Sequence, residues 1–425
     1  MNEFLSLFGP IAAIIGFLIR FWWVWTGPVF FMTFVVVWKS WRQQLYKNAI
    51  SWVLLELKFP REILKSPKAM EQFFAVLYGV RNTPGDFIER YFDGEITLWF
   101  SLEMVSFGGD THIYIRTPVK HQKVVTANLY ANYSMIEVEK VPDYIDRFPA
   151  TISGLEARNL DIWGSELVLA KQDAYPIRTY IQYEGVEEER SIDPISSILE
   201  VFRHLDRKET TCVQILIRPA DDTWREKGLE LVKKLKIEGS KTIISPLGEY
   251  TDRPIRTPGE TEVLKAIELN IAKPGYETLI RYIYIADKSV YSVNFAKRGT
   301  ISAFNQHQSR DLNYFNHNYS IYTQTKWINY PYLFPRRRGA GRKIRMLENY
   351  RQRKMPEEML LSKYLHARAF NFNTRQRTFV LNTEELATLF HPPTNLVLTA
   401  PLIGRTESKR MGPPVSLPIF DEEEG

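Results

Sequence analysis

Nine basic residues and one acid, Glu348, lie between positions 336 and 354: Arg336, Arg337, Arg338, Arg342, Lys343, Arg345, Arg351, Arg353 and Lys354. Cations at this density attract phosphate, which makes the segment a candidate contact for nucleic acid or anionic lipid. A solvated helix face with a flexible lead-in fits the same pattern. Tyr319, Tyr322, Trp327, Tyr330, Tyr332 and Phe334 precede or border the run and could stack on bases, although packing is the simpler account of them. The chain closes on Asp421, Glu422, Glu423 and Glu424, an acidic and solvated tail.

Catalytic chemistry is hard to place. A phosphate loop needs Gly-x-x-x-x-Gly-Lys-Ser/Thr, and the nearest stretch, Arg338-Gly339-Ala340-Gly341-Arg342-Lys343, has neither the spacing nor the hydroxyl. There is no His-Glu-x-x-His metal helix and no Gly-x-Ser-x-Gly elbow. The seven histidines, His112, His121, His204, His307, His317, His366 and His391, are scattered without metal-ligand spacing. Cys212 is the single cysteine, set in the apolar run Cys212-Val213-Gln214-Ile215, and reads as a small core residue. The expectation is a non-enzymatic protein with no cofactor and no metal.

The elements that would position the basic segment begin with a membrane anchor. The first 38 residues carry two charges, Glu3 and Arg20, and run into a collar at Lys39, Trp41, Arg42 and Lys47. The apolar stretch from Phe4 to Trp38 exceeds the roughly 20 residues that one helix needs to cross a bilayer. Gly27-Pro28 offers a break, so residues 1–47 read as a transmembrane helical hairpin, with a single span plus a half-inserted helix as the alternative. Arg20, Trp22, Trp23, Trp25, Trp38, Lys39, Trp41 and Arg42 are its expected membrane-interface residues. A cleavable signal peptide is disfavoured, because the run is too long and no small-residue cleavage site follows. The positive residues after the second arm place the body in the cytoplasm, at the inner membrane.

The rest is of ordinary globular composition, 44% hydrophobic and 24% charged, enough for a sizeable core. Residues 66–79 read as a helix, Glu95–Phe107 and His112–Arg116 as a hairpin turning at Gly108-Gly109, and Pro118–Tyr130 as a second helix before a strand at Met135–Val141. A second copy follows: a helix from Asp193-Pro194 to Leu205, a strand over Thr211–Arg218 and a helix over Asp222–Leu235. The echo of Ile113-Tyr114-Ile115-Arg116 in Ile215-Leu216-Ile217-Arg218 supports the repeat. A weaker third copy pairs a helix at Glu262–Leu269 with a strand at Leu279–Ala286. The fold expected is α+β, with tandem ferredoxin-like α/β sandwich units at 48–150, 151–245 and 246–335, then a basic, partly helical region at 336–425. Arg116 and Arg218, at strand ends, read as structural salt-bridge partners.

Two blocks resemble a known family. Trp52-Val53-Leu54-Leu55-Glu56-Leu57-Lys58-Phe59-Pro60-Arg61-Glu62, continued by Lys65-Ser66-Pro67-Lys68-Ala69-Met70-Glu71, resembles the membrane-anchored region ahead of HerA/TraG-like ATPases of type IV secretion-like and conjugative DNA-transfer systems, notably in candidate-phylum bacteria. Phe379–Pro393, with Glu407-Ser408-Lys409-Arg410, Pro413-Pro414 and Leu417-Pro418, is similar to the connector before the motor in that family. Asn382 or Thr383 can cap a short helix there, which Pro392-Pro393 stops. The family's full-length members continue into the motor, whereas this chain stops at Gly425. The resemblance therefore implies a motorless paralogue or half of a split protein, and ATP hydrolysis is not carried over. It implies a membrane subunit that anchors and orients a separate HerA/TraG-like ATPase, with nucleic acid as a further partner and a homo-oligomeric ring if the motor is one. The alternative is a membrane scaffold unrelated to secretion, holding anionic lipid or nucleic acid through its basic segment.

Overall fold

The computed structural model describes residues 16–17, 20–59, 65–81, 84–183, 192–237, 241–245, 248–252, 256–325, 334–356 and 376–394. Two compact units emerge, one from 1–51 with 81–98 and the other from 52–80 with 99–425.

In the first unit, helix α1 spans Trp22–Ala49. The turn expected at Gly27-Pro28 is absent: α1 runs through it, which removes the basis for a hairpin at that point. A proline usually forces the preceding residue out of the helical region because its ring meets that residue's Cβ. Gly27 has no Cβ, so Pro28 costs a hydrogen bond without ending the helix. Among the described residues no helix is long and apolar enough to span a membrane. The start of the expected first arm, residues 4–15, lies outside the described residues.

The second unit is a mixed α/β body around one large antiparallel sheet. Its first half comprises β1 (Trp52–Lys58), α2 (Lys68–Gly79), β2 (Phe100–Phe107), β3 (Asp110–Pro118), α3 (Gln122–Asn132) and β4 (Glu137–Val141). After the short α4 (Ile152–Ala157) come β5 (Leu160–Leu169), α5 (Ser196–Arg203), β6 (Glu209–Pro219) and α6 (Thr223–Ile237). A separate hairpin, β7 (Lys241–Ser245) with β8 (Gly248–Asp252), leads to α7 (Pro258–Ile271), β9 (Gly275–Asp287), α8 (Val293–Phe304) and β10 (Phe315–His317). The basic segment forms α9 (Pro335–Arg351), and β11 (Phe379–Asn382) with α10 (Thr383–Leu389) follows.

The strand order is β10-β5-β9-β6-β2-β3-β1-β4. Within each half the first strand lies between the fourth and the third, and the second is outermost. The halves join where these outermost strands, β2 and β6, pair along Phe100–Phe107 and Thr210–Ile217. Residues of the expected third unit supply β9, which lies between β5 and β6.

Both sheet faces are covered, which is why β6 is buried along its whole length. One face packs Met70, Phe73, Phe74 and Leu77 of α2 with Val125, Phe202, Phe304 and Leu386. The other packs Leu155 of α4 and Met346, Leu347 and Tyr350 of α9 against Val105, Cys212, Ile283 and Ile285.

Candidate functional site

The sheet face under α9 carries a row of polar residues through an otherwise apolar core. Glu56, Tyr114, Glu103, Gln214, Arg281 and Glu166 face one another in register across β1, β3, β2, β6, β9 and β5. Cross-strand partners project from the same face, so the row is continuous. Glu103, Gln214, Arg281 and Glu166 have no solvent exposure. Arg281 donates to Glu166 Oε1 at 2.9 Å and to Gln214 Oε1 at 3.0 Å. It also donates to the carbonyls of Asn349 and Lys354 at 3.0 and 3.2 Å, supplying a cation where the α9 dipole is negative.

Arg353 reaches back in the other direction. It adopts φ 47°, donates from Nε to Glu103 Oε1 at 2.9 Å and from Nη2 to Oε2 at 3.1 Å, and holds Asp143 through Nη1 at 2.5 Å. Ser101 and Tyr144 hydroxyls, each at 2.5 Å, complete the shell around Glu103. Burial pushes the Glu103 carboxyl up, but the charge and hydrogen bonds of Arg353 outweigh it and the net shift is downward. No member of the pair is open to solvent, so the arrangement clamps α9 and offers no approach to a substrate.

The clamp accounts for much of the basic segment. Arg338, Arg342 and Arg353 are buried. Arg342 donates to the Tyr322 carbonyl at 3.0 Å, and burial lowers its pKa to about 10. Lys343 pairs with Asp161, and Arg351 with Asp146 at 2.9 Å. Arg345 is partly buried, leaving Arg336, Arg337 and Lys354 as the exposed cations of the nine. Of the neighbouring aromatics, Tyr322 packs on Trp163, Tyr319 and Phe334 are exposed, and Trp327, Tyr330 and Tyr332 lie outside the described residues. Arg218 pairs with Glu277 as expected of a structural residue, whereas Arg116 lies over the Trp52 ring, 4.3 Å from its centroid.

A second cluster seats β11 and α10. β11 pairs with β9 over Gly275–Thr278, beyond the stretch that β5 covers. Asn382 caps α10 in a reciprocal box with Glu385. Glu385 is fully buried and also accepts from the Ile177 amide at 2.9 Å. Burial raises its pKa to about 8, and raises that of Asp173, which accepts from the Val380 amide, to about 6. His391 places one ring nitrogen 2.7 Å from the Ala387 carbonyl and the other 2.8 Å from Asp193. Burial would raise Asp193, yet His391 and the amide and hydroxyl of Thr394 bring it down to about 2. Lys273 bridges Glu71 of α2 and Glu384 of α10 at 2.6 and 2.5 Å, beside an open cleft of about 610 Å³ lined by Lys68, Gln72, Tyr180 and Thr383.

In the first unit, α1 is bare along Val29–Met32. Val29, Phe30, Phe31 and Met32 are 62, 72, 69 and 61% exposed. Consecutive helical residues point about 100° apart, so four in a row sample the whole circumference. Trp22, Trp23 and Trp41 are exposed as well, Trp25 lies in the helix, and Trp38, Lys39 and Arg42 are partly buried. Arg20 is exposed.

Over residues 42–402 the sequence matches a family model described as a domain of unknown function, DUF8128. The chain belongs to the DUF8128 family. No curated protein matches it. The DUF8128 region takes in the whole sheet, α9, β11 and α10, and begins within α1 after its bare apolar part. The charges of the polar row had a sequence signal: Glu103, Glu166 and Arg281 each interrupt an apolar strand.

Proposed function

We propose that this DUF8128 protein is a non-enzymatic, membrane-anchored subunit of a type IV secretion-like or conjugative DNA-transfer machine, held at the inner membrane with its body in the cytoplasm. Helix α1 is the anchor, its apolar start inserted in the bilayer and its basic collar at the headgroups. The body is a rigid spacer of two ferredoxin-like units, a reading supported by the strand order that recurs in its halves. The β11–α10 segment is the connector that presents the following chain to a separate HerA/TraG-like ATPase, and the subunits form a ring if that motor does.

The observation that carries the anchor is the bare circumference of α1 at Val29–Met32. A helix that is apolar all round belongs in a core or in lipid, and burying each such side chain contributes about 1.5–3 kcal/mol. Motor binding rests on the resemblance of Phe379–Pro393 and on the close seating of that segment. The alternative, contact with nucleic acid or anionic lipid through the basic segment, falls chiefly to Arg336, Arg337 and Lys354.

Flotation of the full chain with phosphatidylcholine–phosphatidylglycerol vesicles tests the anchor: the protein is expected in the lipid fraction, and recovery from the bottom of the gradient overturns it. Purification from native membranes in mild detergent tests the motor. A HerA/TraG-like ATPase at near-equal stoichiometry is the expected result, and recovery of the chain without one overturns that part.

A further inference from the structure

We propose that the turn at residues 86–93 is a second lipid-contacting element, a wedge that inserts Phe87, Ile88 and Phe92 into the bilayer interface beside α1. The inference rests on the anchoring role of α1 and adds a contact outside the apolar N-terminal run.

The turn contains a short π-helical stretch, Glu89–Asp93, within the same compact unit as α1. Phe87, Ile88 and Phe92 are 68, 63 and 53% exposed, three large apolar side chains within six residues. Their outward direction is fixed by what happens on the other side. Trp38 Nε1–H donates to the Tyr91 carbonyl at 2.9 Å, Arg42 Nε–H donates to the Phe92 carbonyl, and Lys39 lies over the Tyr91 ring. Glu89 accepts from the amides of Gly85 and Asp86 and so closes the start of the turn. At its end, Gly94 adopts φ 70° against the backbone of Arg42 and Gln43, an approach that a Cβ would block. The turn is thereby held level with Trp38 and Arg42, where the bare stretch of α1 gives way to its basic collar.

That position identifies the occupant. Phe34 and Val37, at or within one helical turn of Trp38, are 62 and 60% exposed on a helix that is bare around its circumference at Val29–Met32. A bilayer surrounds such a helix on every side, whereas the face of one protein partner covers only a strip. Trp38, Trp41 and Tyr91 supply the amphipathic rings typical of the headgroup level. Asp86 and Asp93, exposed at the two ends of the turn, keep it at that level and out of the hydrocarbon.

The single native cysteine, Cys212, is fully buried, so a cysteine introduced at an exposed site takes a nitroxide label selectively. Full-length Phe31→Cys, Ile88→Cys and Phe92→Cys, each labelled and reconstituted in phosphatidylcholine–phosphatidylglycerol vesicles, are compared for spin relaxation by oxygen and by a water-soluble nickel chelate. Oxygen access with shielding from nickel is expected at all three. Shielding at position 31 with full nickel access at 88 and 92 overturns the wedge and leaves the anchor standing. Nickel access at all three overturns both.

Discussion

Glu103 and Arg353 stand 250 residues apart in the chain and meet at 2.9 Å, with neither side chain more than 1% exposed. Removing one partner of such a pair leaves the other charged and buried, at a cost of about 3–5 kcal/mol, while replacing both by apolar or neutral groups is far milder. Arg353→Met is therefore expected to lower the urea midpoint sharply, and Glu103→Gln with Arg353→Met to recover most of the loss. An unchanged midpoint in the single variant would mean that the pair does not hold α9 to the sheet.

Acid should loosen the β11–α10 segment through Asp193. Its folded pKa, about 2, is below its ordinary 3.8, so the carboxylate contributes stability above pH 3.8 that is lost as pH falls toward 2. The contribution is about 2 kcal/mol. Asn in place of Asp193 should remove this stabilisation at neutral pH and flatten the acid limb of a stability profile. A variant with the wild-type profile would show that His391 gains nothing from the pairing.

Glu385 has the opposite sign. Its folded pKa of about 8 exceeds the ordinary 4.5, so the native state holds a proton that the unfolded chain releases, and stability falls as pH rises from 4.5 to 8. Melting temperatures of Glu385→Gln measured across that window should lack this decline. If wild type and variant decline in parallel, the two amides that Glu385 accepts keep it ionised.

At Gly94 an Ala would add strain at positive φ and a collision with the α1 backbone. The substitution should free the turn from α1. Limited proteolysis would then cut between residues 84 and 98 several-fold faster than in the wild type, and equal rates would count against a fixed turn.

Neutralising Arg336, Arg337 and Lys354 should leave the melting temperature unchanged, since all three are exposed. If the segment meets DNA, each lost phosphate contact lowers the salt slope of binding by about 0.9. An unaltered slope would remove the nucleic-acid reading.

Local signals in the sequence carried the elements well. The helix expected at 66–79 forms at Lys68–Gly79, the strand at Thr211–Arg218 at Glu209–Pro219, and the cap at Asn382 is present. Each depends on residues within a few positions of one another. What escaped depends on distant partners. The basic run read as a surface because its charges were visible and their counterparts, Glu103, Asp143, Asp146 and Asp161, lay far upstream. The apolar spacing of Met346, Leu347 and Tyr350 was the clue that α9 has a face to bury. Gly27-Pro28 misled for a local reason, since the residue that makes a turn easy also lets a helix tolerate the proline.

The registers place Trp52, where the chain enters the sheet, and Asn382, where β11 ends, at the same end of the strands. Tension applied between these two points would act across the strands, through β3, β2, β6 and β9 in series, and the seam with least bonding would yield first. That seam is the short pairing of Phe379–Asn382, against a β6–β9 seam that runs the length of Glu209–Pro219. Load placed on these two points is therefore expected to part the Phe379–Asn382 pairing first and to leave the paired halves of the sheet folded.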